Sequence, residues 1–343
     1  MGGAQKTIFI VDDSYTNLHV AKEALSEDYK IITMASAEKM FLLLQRIRPD
    51  LILLDIEMPE MNGIEALRQL KADVRKADIP VVFLTSTSDR VVEALGFELG
   101  AVDFLRKPFS KPVLLRRIKS HLEIDGLIRK QTARLQRLQN GMISVIAEII
   151  ENRDEKTGGH VERTAAYIRI LVGAMQPKGM YEEMLLNIDI DSFVSSARLH
   201  DVGKVVVSDV ILNKPDKLSP EEYEVIKRHA SMGEKIIDDI ISITGDVMFL
   251  NSAKLFAGYH HERWDGTGYP RGLNGADIPF QGRIMALADV YDALVSARPY
   301  KNPIPHENAV DIIMQGKGAQ FDPLMADVFY EVREQFEAIS LMI

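Results

Sequence analysis

Leu51-Ile52-Leu53-Leu54-Asp55 reads as a buried strand: four apolar residues in a row, then a carboxylate where the run stops. Similar apolar runs occupy residues 7–11, 30–34, 81–84 and 102–105. Between them, residues 18–25, 37–47, 64–71 and 91–99 space their apolar side chains as amphipathic helices do. Strand alternating with helix predicts an α/β doubly wound, five-stranded parallel sheet covered on both faces. Pro112 marks the start of a fifth helix, because proline suits the first helical position.

The chain has 343 residues, more than one core usually holds, so two domains are expected. A net charge of −9 gives no basic face for a polyphosphate backbone, and no basic recognition helix follows the first domain. DNA is therefore not an expected partner. The absence of cysteine removes disulfides, thiolate zinc sites and cysteine nucleophiles together. Met1 to Val11 has no charged region leading into a long apolar stretch, so no signal peptide is expected, and no apolar run approaches the ~20 residues a membrane helix needs. The expected location is the cytoplasm.

From residue 124 the pattern changes to one long helix. Ile124, Ile128, Leu135, Leu138, Met142, Val145 and Ile149 follow alternating steps of four and three, with Gln131 the polar exception. Such a seam suits a coiled coil between two copies of the chain, a homodimer, or packing onto the chain's own second domain. Both readings stay open at this point. Beyond Glu151 no strand series appears, so residues 151–343 are expected to be all-α, with 1–123 the sheet domain and 124–150 a helical linker.

In a doubly wound sheet, functional groups gather at the carboxyl ends of the strands. Asp12 and Asp13 follow the first strand, Asp55 the third, Thr85 the fourth and Lys107 the fifth. Three carboxylates together need a cation, and oxygen ligands favour a hard one such as Mg²⁺. At these residues the segment resembles the receiver domain of two-component systems. That resemblance implies that Asp55 accepts a phosphoryl group from a histidine kinase or a small phosphodonor. It further implies that Asp12 and Asp13 hold Mg²⁺, Thr85 and Lys107 contact the phosphate, Phe104 is the switch aromatic, and the Lys107–Pro108 peptide is cis.

A second constellation comprises His160, the pair His200-Asp201, His229, the pair His260-His261 and Asp289. Imidazole and carboxylate together suit iron, manganese, zinc or nickel more than calcium. Neighbours such as His200 and Asp201 can serve adjacent metals if the carboxylate bridges. His19, His121 and His306 read instead as surface or packing residues.

His200-Asp201-Val202-Gly203-Lys204, His260-His261-Glu262 and Asp265-Gly266-Thr267-Gly268-Tyr269-Pro270 resemble the HD-GYP signature. Glu151-Asn152-Arg153-Asp154, Thr157-Gly158-Gly159-His160, Arg298-Pro299-Tyr300-Lys301 and Phe321-Asp322-Pro323 resemble further motifs of that family. The resemblance implies a helical HD-superfamily domain whose bridged metal centre hydrolyses cyclic di-GMP. It makes His160, His200, Asp201, His229, His260, His261 and Asp289 the metal ligands, with Asp201 bridging. Lys204 then contacts a phosphate, and Arg298 and Lys301 hold the substrate's phosphates and guanine. Gly268, Tyr269 and Pro270 shape a loop at the pocket mouth, with a structural role or one in docking diguanylate cyclases.

One position departs from the pattern. Three-metal members carry a glutamate four residues before the first histidine, where this chain has Lys156. An ammonium cannot ligate a cation and repels one, so two metals are expected. The expected reaction is in-line attack on phosphorus with loss of a ribose 3′-oxygen, controlled by phosphorylation of Asp55 through the helix that follows. Rival readings are a catalytically weak dinucleotide-binding or docking module, and a phosphodiesterase for another cyclic dinucleotide.

Overall fold

The computed structural model describes residues 5–342 apart from 74, 87–89, 154–158, 187, 246 and 298–301. It divides into two compact units, Met1–Leu135 and Gln136–Ile343.

In the first unit, strands β1 (Thr7–Val11), β2 (Lys30–Met34), β3 (Leu51–Asp55), β4 (Val81–Thr85) and β5 (Asp103–Arg106) form one parallel sheet in the order β2-β1-β3-β4-β5. Helices α1 (Tyr15–Leu25), α2 (Ala37–Leu43), α3 (Gly63–Ala72), α4 (Arg90–Glu98) and α5 (Lys111–Arg153) alternate with them. Every residue of β3 and β4 is buried, which is why both read as unbroken apolar runs. Successive side chains go to opposite faces. Ile52 and Leu54 join the core under Met40 and Leu67, whereas Leu51 and Leu53 join the one under Leu25 and Ile118. The expected helix at 37–47 stops at Leu43, ahead of Pro49, which disfavours helical backbone before it.

The second unit is helical among the described residues. It comprises the end of α5, then α6 (His160–Met175), α7 (Glu182–Leu185), α8 (Ile190–Ala197), α9 (Asp209–Leu212), α10 (Pro220–Thr244), α11 (Met248–Tyr259), α12 (Phe280–Val295), α13 (His306–Gln315) and α14 (Pro323–Met342). A short 3₁₀ turn spans Val202–Val206. Helix α12 is the centre of the unit: Ile284, Met285, Leu287, Ala288 and Tyr291 are all buried, so it is apolar around most of its circumference. Around it, the Tyr167 ring stacks on Phe336 at 4.5 Å and meets Tyr291 edge-on at 5.2 Å. No described helix is long and apolar enough to cross a membrane.

Helix α5 runs unbroken from Lys111 to Arg153, through the positions where the sequence reading divides sheet domain, linker and helical domain. Its Ile143, Ala147 and Ile150 are buried, and Ile143 and Ile150 pack with Leu199, Val202, Ile237 and Ala257. Ser195 Oγ donates to Asn140 on the same helix at 2.9 Å. The seam from Ile124 to Ile149 is a different face, and it stays exposed.

Helix α10 begins with a reciprocal cap between Ser219 and Glu222, with Pro220 at its first position. It then crosses the 3₁₀ turn backbone to backbone. A Cβ on Gly203 would lie 1.9 Å from His229 O and 2.5 Å from Gly233 N. Gly203→Ala should therefore force the turn away from α10 and destabilise the second unit by about 3 kcal/mol, the upper range for overpacking. Gly173→Ala, in a helical position with open space around it, should instead be neutral or stabilising. Denaturant unfolding of the two variants tests the contrast.

Candidate metal centre

The His200-Asp201 pair lies where α8 has ended and the 3₁₀ turn begins, so neither residue is held to helical side-chain directions. The two side chains approach each other: His200 Nε2 is 3.3 Å from Asp201 Oδ2. The other carboxylate oxygen, Asp201 Oδ1, is 3.3 Å from His229 Nε2 and 3.7 Å from His260 Nε2. Two groups result, His160 with His200 and Asp201, and His229 with His260 and His261. Asp201 stands between them.

The tautomers follow from the backbone. His200 Nδ1 donates to Ala197 O at 3.0 Å, His229 Nδ1 to Ile226 O at 2.7 Å, and His260 Nδ1 to Ala257 O at 3.0 Å. Carbonyl oxygens only accept, so each Nδ1 carries the hydrogen and each Nε2 presents a lone pair. The Nε2 atoms of His229 and His260 nevertheless sit 3.1 Å apart. Among the described residues, His200 Nε2 is buried without an aligned hydrogen-bond partner. Lone pairs converging in a buried space need a cation among them, and imidazole nitrogen fits a divalent transition metal. The donor set fits such ions.

Electrostatics agree. Burial, against the pull of Asp201, pushes the His229 imidazole down to about 4, so it is neutral at physiological pH. Burial and the adjacent His260 push His261 well below the ordinary histidine range. Burial opposes ionisation of Asp201, but the adjacent Lys204 ammonium outweighs it and holds the carboxyl well below the usual carboxylate range. Lys204 Nζ lies 2.7 Å from Asp201 Oδ2.

His160 opens α6. Its backbone N–H and that of Val161 donate to the Glu151 carboxylate from α5, at 3.0 and 3.4 Å. Its Nε2 lies 3.5 Å from Asp289 Oδ1, and its Nδ1 donates to Asp292 Oδ2 at 2.8 Å. Arg163 grips the same Asp292 through Nε at 2.7 Å and Nη2 at 2.9 Å. Although buried, Asp292 is held down to about 2, because His160 and Arg163 outweigh the cost of burial. The sequence reading misses Asp292 and Arg163. The available signal was spacing: Asp292 is three residues after Asp289, and Arg163 three after His160, one helical turn in each case.

The glycine-rich loop folds back on the centre. A Cβ on Gly268 would lie 2.3 Å from Arg263 N, so only glycine fits there. Tyr269 N donates to His261 O at 3.1 Å, and its ring stacks on His261 with centroids 4.6 Å apart. The Tyr269–Pro270 peptide is cis. Buried Glu262 accepts from Arg271 N at 2.7 Å and Leu273 N at 3.0 Å, pinning the rest of the loop. Asp322 is a further pin, paired with buried Arg283 at 2.8 Å and accepting from Tyr181 at 2.8 Å. These residues enclose a cavity of about 560 Å³ lined also by Arg198, Tyr223, Lys227, Asp289 and Gln320. That volume lies within the ~300–1,000 Å³ typical of small-molecule sites. Lys156, Arg298 and Lys301 lie outside the described residues. Of the histidines read as non-ligands, His121 meets Asp103 at 3.0 Å, His306 meets Tyr291 at 2.8 Å and His19 is exposed.

In the first unit, Asp12, Asp13 and Asp55 converge at the strand ends. Lys107 Nζ lies 2.7 Å from Asp12 Oδ2 and 2.8 Å from Asp55 Oδ2. Burial raises the Asp55 carboxyl, with Lys107 opposing it. Lys107 N donates to Thr85 O at 2.8 Å, and the Lys107–Pro108 peptide is cis. The Phe104 ring sits between Phe83 and Phe97, over Gly96, where a Cβ would meet it at 2.5 Å.

Comparison with known proteins agrees with both halves. The response regulator receiver domain family matches residues 8–119 and the HD domain family residues 144–325. A Vibrio cholerae protein named "Probable cyclic di-GMP phosphodiesterase" is 40% identical over 98% of this chain and 80% of its own length. The "Cyclic di-GMP phosphodiesterase response regulator RpfG" of Xanthomonas campestris is 33% identical over 97% of this chain and 89% of its own. A "3'3'-cGAMP-specific phosphodiesterase 2" of Vibrio cholerae is 36% identical over 60% of this chain and 37% of its own length. The chain thus belongs to the family of response regulators that join a receiver domain to an HD domain of the HD-GYP type, the cyclic di-GMP phosphodiesterase family.

Proposed function

We propose that residues 151–343 hydrolyse cyclic di-GMP with the help of two divalent ions, and that residues 1–123 regulate this through phosphorylation of Asp55, with 124–150 linking the two. The observation that carries the reading is the Asp201 carboxylate, whose two oxygens face two separate histidine groups in one cavity. His160, His200 and Asp289 would hold one ion, His229, His260 and His261 the other, and Asp201 both. Nitrogen and oxygen donors suit iron or manganese, with zinc and nickel also accommodated. Lys156 argues for two ions rather than three on charge alone.

Bound divalent ions supply hydroxide at neutral pH and offset charge on the attacked phosphate. The chain's own groups do the rest. Lys204 brings a fixed positive charge beside Asp201, where it offsets charge on the non-bridging phosphate oxygens. Arg298 and Lys301 are assigned to the substrate's phosphates and guanine by resemblance. Asp292 fixes the His160 ring through Nδ1 and raises its basicity as a ligand. Tyr269 covers His261 and shields that edge from water. Ring opening at a ribose 3′-oxygen gives the linear dinucleotide pGpG, and a second cut would give GMP. Because the Tyr269 ring faces inward, the loop's exposed Pro270 is the part left to meet a docking cyclase. In the receiver, Asp12 and Asp13 would hold Mg²⁺ beside Asp55, which takes its phosphoryl group from a kinase or small phosphodonor. A cytoplasmic location suits both phosphodonor and substrate.

A second reading, hydrolysis of 3′3′-cGAMP, is favoured by the relative named for it. Protein loaded with iron or manganese under argon should bind two ions per chain and turn over cyclic di-GMP faster than 3′3′-cGAMP. The reverse preference selects the second reading, and retention of one ion at most sinks the mechanism. Asp201→Ala should lose both ions and turnover while leaving the receiver folded. Asp292→Asn should weaken metal binding about 10–100-fold, the usual effect of losing a carboxylate behind a ligating histidine. With a small phosphodonor, wild type should gain one phosphoryl group and change its turnover; Asp55→Asn should do neither.

A further inference from the structure

Among the described residues, the seam on α5 has no partner within the chain. Ile124, Ile128, Leu135, Leu138, Met142, Val145 and Ile149 are each between 53% and 65% exposed, and Leu127 and Ile146 beside them are 61% and 45% exposed. The helix meets its own helical unit through another face, carrying Ile143, Ala147 and Ile150. One stretch of helix thus holds two apolar faces, and intramolecular packing uses only one.

We infer that the exposed seam is a parallel, in-register coiled coil with a second copy of this chain. Three features of the helix point to a copy of itself. The apolar positions keep a strict seven-residue repeat from 124 to 149, about 38 Å of helix at 1.5 Å per residue, with eight core layers counting Gln131. A straight surface helix serving one globular core would drift from that repeat.

The flanking positions are compatible in parallel register. They pair Leu127 with Thr132, Arg134 with Gln139 and Gly141 with Ile146 of the second copy, and none of these is a like-charge pair.

Gln131 decides between parallel and antiparallel. In parallel register it faces itself, so two amides donate and accept across the interface. Antiparallel alignment of the same seams sets it against Met142 and leaves a buried amide without a good partner. A single polar layer of this kind fixes register at some expense in stability.

This inference does not depend on the metal chemistry, and the two fail separately. Sedimentation of the full chain at micromolar concentration should give twice 38.5 kDa for wild type. Leu135→Glu with Leu138→Glu should halve that mass while keeping the circular dichroism and metal content. Arg137→Glu, on the outer side of the helix, should leave the dimer intact. Since the chain has no cysteine, Gln131→Cys offers a single thiol that should cross-link two copies on mild oxidation, whereas Arg137→Cys should not. A monomeric wild type, a dimer indifferent to the paired glutamates, or no cross-link through residue 131 would each overturn the proposal.

Discussion

The helical unit is arranged around one electrostatic difficulty: a carboxylate and several imidazoles must share a buried space without neutralising one another by proton transfer. The backbone resolves it. By accepting the Nδ1 hydrogens, the carbonyls of Ala197, Ile226 and Ala257 fix three rings in one tautomer and turn three lone pairs inward. Each carbonyl lies three residues before its histidine, so the helix or turn that carries the ring also orients it. The close crossing at Gly203 and Gly233 then brings the two histidine groups within reach of a single carboxylate.

The same logic extends outward. His160 is not oriented by a local carbonyl, and it uses Asp292 in its place, with Arg163 balancing that buried charge. Glu151 secures the start of α6, and Glu262 secures the loop over His261. The buried charges of Asp292 and Glu262 and the half-buried one of Glu151 are each met by donors, and this paired network adjoins the candidate cation-binding groups.

How much of this was legible in the sequence depends on range. Strands β1, β3 and β4 were readable because burial on both faces leaves continuous apolar runs, and the ends of the strands placed Asp12, Asp55, Thr85 and Lys107 at once. The paired motifs His200-Asp201 and His260-His261 pointed to the candidate metal centre, because they sit in one series with His160, His229 and Asp289. What escaped was long-range. Asp292 lies 129 residues from Arg163 and 132 from His160, and no local pattern joins such partners. The α5 repeat was visible too, but repeat alone cannot say which of two apolar faces the chain uses for itself. That depended on where Ile143 and Ile150 found their core.

Arg153 carries a consequence of its own. Its guanidinium donates to the carbonyls of Lys204, Val205 and Val207 and to Asp209, at 2.8 to 3.3 Å. Asn213 Nδ2 returns a hydrogen bond to Arg153 O at 2.8 Å. The last turn of α5 and the segment behind Lys204 are therefore riveted into one mechanical piece. A shift of that last turn would carry the backbone of Lys204 with it.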